Sequence, residues 1–266
     1  MRRILIALDP AAPRSDALEA VAALCRSTEA ELTGVFIEDD NLSRLATLPF
    51  AREVRVTGVT SRTLDTALLR LQLDACAREF EQAFEQARVR LRTRVSFRRL
   101  RGDVLVELRQ AAAEMDLVVV ARSLKSAGLR TWFGVAPERL LDAIAEGPAP
   151  VGLLFVHEPW ASGRAVLALD DGSEASTRAL EQARAMADAD QLPLEVCRLV
   201  NPAAAAGNDD REDDGGPEVH DLAGLRRLCM ERDPRLLVLP DTPGVRACLD
   251  LRDLLSDLPA SVAITR

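Results

Sequence analysis

The sequence predicts an α/β chain of two tandem domains, each a mainly parallel sheet flanked by helices, and three observations predict it. An apolar phrase closed by an acid, Ile4-Leu5-Ile6-Ala7-Leu8-Asp9, returns as Ala165-Val166-Leu167-Ala168-Leu169-Asp170. Strand-like and helix-like periodicities alternate after each copy, the pattern of β-α-β units. The length of 266 residues suits two modest domains better than one large one. The expected boundaries are residues 1–158 and 163–266, with a long insertion in the first domain.

A continuous apolar run of this length is expected for a central parallel strand, buried on both faces. After the first run, Leu18, Val21, Ala22 and Cys25 fall at helical spacing on one face, which must lie on the sheet. A matching helix around Ala179-Leu180-Glu181 follows the second run. Second strands are expected at Glu31 to Glu38 and Leu194 to Val200, and fourth strands at Asp116-Leu117-Val118-Val119-Val120 and Arg235-Leu236-Leu237-Val238-Leu239. Pro150 and Pro259 precede the last strand of each copy, Val151 to Leu154 and Ala260 to Ile264, and suit an edge or a strand start.

The insertion spans about Asp39 to Arg92, and in it Leu64, Leu68, Leu71, Ala75, Phe80, Phe84, Ala87 and Leu91 keep roughly helical spacing. Leu48-Pro49-Phe50 and Trp132-Phe133 are expected to pack against that helix, a partner surface being the alternative reading. At the corresponding place the second copy has an acidic run, Asp209 to Asp214, then a short helix expected from about Glu218 to Glu231.

The net charge of −8 and pI near 5.0 argue against a nucleic-acid partner, because no excess cation exists to displace phosphate counterions. The basic stretch Arg88 to Arg101 reads as solvated helix and strand faces. The N-terminal apolar run that ends at Asp9 is too short for a membrane span or a signal-peptide core, so a cytoplasmic protein is expected. The five cysteines form no CxxC pair, and no metal site is expected. His157 falls in the expected linker and His220 after the acidic run, neither beside a nucleophile, and no GxSxG, GxxxxGK(S/T) or HExxH occurs. No catalytic residue is assigned.

The opening Arg3 to Asp9, the block Gly34-Val35-Phe36-Ile37-Glu38-Asp39-Asp40, the turn Gly102-Asp103 and the strand Asp116 to Ala121 resemble the universal stress protein (UspA-like) family in order and spacing, in tandem form. The resemblance covers the first half and, reduced, the second from Arg164 to Arg266. It implies two Rossmann-like (adenine nucleotide alpha hydrolase-like) domains, each with a mainly parallel five-stranded sheet, often paired through the last strand. It also implies a site across the carboxyl ends of the strands, with Asp9, Ile37 and Gly134 as the cofactor-binding positions.

The phosphate loop of nucleotide-binding members is patterned G-x2-G-x9-G-(S/T), glycine serving where backbone must approach phosphate. Here those positions are Ala121, Leu124, Gly134 and Val135, so two glycines and the hydroxyl are replaced. Ser123, Lys125, Ser126 and Arg130 read as a polar surface loop, substitute phosphate contacts being the alternative. In the second copy Pro240-Asp241-Thr242-Pro243 lacks N–H donors at two positions, and no nucleotide is expected there. Asp9 and Asp170 serve equally as turn or helix caps.

The expected function is that of a stress-associated regulatory or interaction protein with a degenerate nucleotide site, no cofactor and no enzymatic activity. The alternatives are an ATP- or AMP-binding universal stress protein using a variant loop in the first domain, and a slow nucleotide hydrolase. The expected partner is a protein not identified by sequence, with association as a homodimer or an intramolecular pseudo-dimer.

Overall fold

A computed structural model describes residues 2–8, 18, 21, 22, 24, 25, 29–54, 61–91, 93–121, 135–147, 151–157, 163–200, 216–258 and 260–266. The repeated apolar phrases form β1 (Arg3–Leu8) and β8 (Ala165–Asp170). In the first half β2 (Glu31–Asp39), β5 (Val95–Gly102), β6 (Leu117–Ala121) and β7 (Gly152–Val156) complete five strands. The second half supplies β9 (Leu194–Leu199), β10 (Glu218–Val219), β11 (Pro234–Pro240) and β12 (Ser261–Thr265). All ten join one sheet in the order β10-β9-β8-β11-β12-β7-β6-β1-β2-β5.

Within each half every pairing is parallel, and the strand of the repeated phrase lies in the middle of its five. Among the described residues the single antiparallel pairing in this sheet is the junction, where Val262, Ala263 and Ile264 lie opposite Phe155, Leu154 and Leu153. β7 and β12 therefore end their own halves yet are central in the molecule. Their proline-preceded sequences suit the strand start rather than an edge of the sheet. The halves form an intramolecular pseudo-dimer through their last strands.

Alternation along the strands separates two cores. Leu5 and Ala7 of β1 join one cluster with Leu167, Leu169, Val262 and Ile264, while Ile4, Ile6 and Leu8 join the other with Val166, Ala168 and Ala263. Helices α3 (Val104–Ala112), α4 (Pro137–Ala145), α6 (Leu222–Arg232), α7 (Pro243–Cys248) and α8 (Leu251–Asp257) cover the first face. Helices α2 (Thr66–Leu91) and α5 (Glu174–Asp190) cover the second, together with the helical residues Leu18, Val21, Ala22, Leu24 and Cys25. Both clusters cross the junction, and each fully buried Leu or Phe contributes about 1.5–3 kcal/mol.

Three expectations need correction. Glu218 and Val219 are not helical: they form β10, the outermost strand of the second half, paired with Arg198 and Leu199. The helix begins only after Asp221, whose carboxylate accepts the Gly224 N–H at 2.7 Å. In α2 the buried face is Leu73, Ala77, Phe80, Phe84 and Leu91, whereas Leu71 is 63% exposed and Leu64 precedes the helix. The register is fixed by the rings of Phe80 and Phe84, which pack at a tilt against Phe36 and Phe97 with centroids 5.8 and 5.7 Å apart. Finally, Leu48-Pro49-Phe50 does not pack beneath that helix, because Phe50 is 75% exposed. Trp132 and Phe133 lie outside the described residues.

A two-stranded hairpin, β3 (Arg52–Val54) with β4 (Ser61–Thr63), and the short helix α1 (Asp40–Leu45) complete the insertion. Among the described residues no helix is long and apolar enough to cross a membrane.

Candidate functional site

In a parallel sheet the carboxyl ends of the strands form a crest where loops and helix starts converge, and that is where an open α/β sheet places its ligand. Of the three positions expected in the first half, Ile37 is described. It is 2% exposed near the end of β2, opposite Leu100 of β5, in the same core cluster as Val104 and Leu108. Asp9 and Gly134 lie outside the described residues, as do Leu124, Ser123, Lys125, Ser126 and Arg130. Val135, at the position of the expected hydroxyl, is half-buried and packs against the core.

The end of β2 is strongly acidic, and its charges are matched by β5. The Arg99 guanidinium bonds both Glu38 and Asp74, and Arg101 donates to Asp40 at 2.8 Å. The Arg99 hydrogen bond is the main cause holding the Asp74 carboxyl below its ordinary range. Asp39 caps α1, accepting the Asn41 N–H at 2.8 Å. Much of the basic stretch on β5 therefore answers these carboxylates and is only partly a solvated face.

In the second half the loops after β8 and β11 are described, and their polar groups are turned on one another. Asp170 accepts the Gly172 N–H at 2.8 Å and the Ser176 hydroxyl at 2.6 Å. The intervening Gly172 has φ 79°, a turn that glycine adopts without strain. Asp170 thus holds the turn, while Ser173 caps the helix, its hydroxyl oxygen accepting the Ser176 N–H at 3.1 Å. Asp171 accepts the Ser173 N–H at 3.0 Å and the Thr242 hydroxyl, which ties the β8 turn to the loop after β11. Burial pushes the Asp171 carboxyl up, but these hydrogen bonds outweigh it and hold it below the usual carboxylate range.

The loop after β11 is the one that would cradle phosphate. Its Asp241 N–H donates to the Thr265 carbonyl at 2.8 Å, and its Thr242 N–H to the Pro240 carbonyl at 3.1 Å. The Val245 N–H donates to the Thr242 hydroxyl oxygen at 3.2 Å, making Thr242 the cap of α7 with Pro243 in its first turn. Pro240 and Pro243 have no N–H to offer. Of the backbone positions from Pro240 to Val245, two have no N–H and those of Asp241, Thr242 and Val245 are engaged within the chain.

Asp241 is nearly buried and is clamped by two cations. Arg246 Nε reaches it at 2.6 Å and Arg266 Nε at 2.7 Å. Burial pushes the Asp241 carboxyl up, and the two guanidinium groups more than offset this, so it titrates below its ordinary value. Both arginines also reach the first half: Arg246 Nη1 is 2.9 Å from Asp142, and Arg266 Nη1 donates to the Ala145 carbonyl at 3.0 Å. The second contact places a cation on the last turn of α4, where the helix dipole favours one. An open cavity of about 620 Å³ lies beside this network, lined by Asp142, Glu146, Asp241, Thr242, Arg246 and Arg266 with Ala145 and Pro243.

Sequence reading missed this network. Asp241-Thr242-Pro243 carries a legible helix-start signal, but the partners Asp142 and Arg266 are distant in sequence, and only the antiparallel junction brings them together. His157 stands at the end of β7, its backbone N–H donating to the Ser261 hydroxyl oxygen at 2.9 Å, and His220 is exposed beyond β10. Cys197 and Cys229 are buried, and burial pushes both thiols up to about 12, where thiolate chemistry is suppressed. Among the described residues no group of three or more His, Cys, Asp or Glu could hold a metal ion.

No protein-family profile matches the chain, and no curated protein sequence matches it. Among solved structures it is similar to a universal stress protein from Archaeoglobus fulgidus DSM 4304, at 12% identity and a TM-score of 0.64, over 99% of this chain and 96% of that one. A functionally unknown protein from Pseudomonas aeruginosa PAO1 matches all of this chain and 92% of its own, at 15% identity and a TM-score of 0.59. A protein of Pseudomonas aeruginosa UCBPP-PA14 assigned to the universal stress proteins does so at 16% identity and 0.58, over 93% of its length. Likeness at such low identity shows architecture, and it extends through both halves and their junction. The chain has the tandem Rossmann-like fold of the universal stress proteins.

Proposed function

We propose that this chain is a stress-associated regulatory or interaction protein whose nucleotide crevices have been given over to internal structure. The observation that supports this reading most is the crest of the second half. There the backbone donors Asp241 and Thr242 bond to the Thr265 and Pro240 carbonyls, and the Asp241 carboxylate, with Asp171 tied to Thr242, brings negative charge to the loop that would hold a phosphate. Val135, packed against the core at the expected hydroxyl position, supports the same reading for the first half. On this proposal the chain acts without catalysis, a reading supported by Cys197 and Cys229, whose thiols burial pushes up to about 12.

The test is titration calorimetry with ATP and with AMP, plus magnesium, on the wild type and on the double variant Leu124→Gly, Val135→Ser. The expected outcome is no heat of binding and no thermal shift for the wild type at millimolar nucleotide, and measurable affinity for the double variant. A ligand at about a hundred times its Kd would stabilise the fold by about 2.7 kcal/mol, which a melting curve resolves readily. Wild-type binding in the micromolar range that is lost on Asp9→Ala would overturn the proposal in favour of a nucleotide-binding protein. Phosphate release above background with the same dependence on Asp9 would make it a hydrolase.

A further inference from the structure

The insertion of the first half ends in a spur that leaves large apolar side chains in water. Leu45 is 48% exposed, Leu48 39% and Phe50 75%. The spur is nonetheless held firmly. Ala46 and Ala51 are buried beneath it, the Thr66 hydroxyl donates to the Ala46 carbonyl at 3.0 Å, and the Leu64 N–H donates to the Ala51 carbonyl at 3.0 Å. A fixed backbone presenting exposed Leu and Phe is the usual form of a partner-binding surface, since little conformational entropy is then lost on docking.

The charges around it point to the kind of partner. Arg44 precedes Leu45, Arg52 follows Ala51, and Arg70 lies one turn beyond Thr66 on the same face of α2. All three are exposed and none makes an ion pair among the described residues, although Arg52 also reaches the Ser61 carbonyl at 3.3 Å. By contrast, Arg94, Arg99 and Arg101 of the same half are matched to carboxylates. Arg90 and Arg98 are also exposed without an ion pair among the described residues, and what sets Arg44, Arg52 and Arg70 apart is their place around an exposed apolar triplet.

We propose that this spur docks an acidic amphipathic segment of a partner protein. The segment's leucine or phenylalanine side chains would cover Leu45, Leu48 and Phe50, and its carboxylates would pair with Arg44, Arg52 and Arg70. A second copy of the chain related by a two-fold axis fits poorly, because it would set arginine against arginine. An anionic bilayer fits poorly too, because the rest of the chain carries the excess negative charge. The proposal rests on the interaction-protein reading above and names the chemistry of the partner.

The experiment is an anisotropy titration of the full chain into a fluorescein-labelled helical peptide built of glutamates with leucines along one face. Two further peptides carry lysine for glutamate, or serine for leucine. Saturable binding is expected for the first peptide alone, with both others at least about tenfold weaker and affinity falling as salt rises. Leu48→Ser with Phe50→Ser is expected to weaken it at least about tenfold, as for a central apolar anchor. Arg44→Gln, Arg52→Gln and Arg70→Gln together are expected to flatten the salt dependence. Circular dichroism checks that each variant folds, and the salt titration of the wild type needs no variant.

Absence of binding at high micromolar peptide, equal binding of the lysine peptide, or an unchanged Leu48→Ser, Phe50→Ser variant overturns the proposal. So does sedimentation of the chain with phosphatidylserine vesicles without peptide binding. Binding of ATP to the wild type would sink the empty-crevice reading while leaving the peptide result standing, so the two failures are distinguishable.

Discussion

An added Cβ at Gly34 would lie well inside contact distance of the Phe84 ring, so β2 and α2 approach as closely as they do only because this position has no side chain. Gly34→Ala is therefore expected to cost about 1–3 kcal/mol, the range for forcing an extra group into a packed core. In a chain of this size that lowers the melting temperature by about 2–4 °C for each kcal/mol. Phe84→Leu on top of Gly34→Ala is expected to return part of the loss, since the smaller side chain vacates the contact. A melting curve for Gly34→Ala that superimposes on the wild type would show that the helix moves away without cost. At this scale the sequence was informative wherever a residue type has one physical use. The buried runs of β1 and β8, the turn role open to Asp170 and the buried settings of Cys25, Cys197 and Cys229 were all legible. Pairings between distant residues, such as Thr242 with Asp171 or Arg99 with Asp74, carry no local signal and had to be seen.

Elements are joined by the Asp241 clamp, which links the end of β11 to α7 through Arg246, to β12 through Arg266, and by way of those arginines to α4. Because the folded carboxyl titrates below its ordinary value of 3.8, its contribution is present in full above that value and is lost as pH falls through the folded one. Asp241→Asn removes the charge at every pH. It is expected to cost about 1–3 kcal/mol near neutrality, less than for a wholly buried pair because both arginines are partly in water. The gap in melting temperature between wild type and variant should stay constant from pH 7 to about 5 and close between about 4 and 2. Asp74, Asp116 and Asp171 are also held below their ordinary value but are common to both proteins, so the difference curve isolates Asp241. A gap that persists at low pH would mean that the side chain acts through shape and neutral hydrogen bonds alone. The elements themselves were mostly readable, because buried parallel strands write continuous apolar runs. The exceptions were places where local pattern is weak. β10 is only two residues long and reads as a helix start, and the face of α2 is chosen by aromatic packing against β2 and β5.

The molecule as a whole is governed by the β7–β12 junction. Two parallel five-stranded halves meet there by three antiparallel residue pairs, and both core clusters run across it without interruption. A tandem chain with separate cores would unfold in two steps, each half losing its structure at its own denaturant concentration. Here the last strand of each half is packed between strands on both sides, so exposing it in one half strips burial from the other. The chain is therefore expected to unfold in a single transition, with calorimetric and van't Hoff enthalpies equal and a urea slope appropriate to the whole chain. Phe155→Ala, at a fully buried position facing Val262 across the junction, is expected to lower stability by about 3–5 kcal/mol and to move that one transition intact. If the variant instead splits the curve, with one half melting early and the other at the wild-type midpoint, the halves are coupled only by contact. The continuous sheet would then be two domains that merely touch.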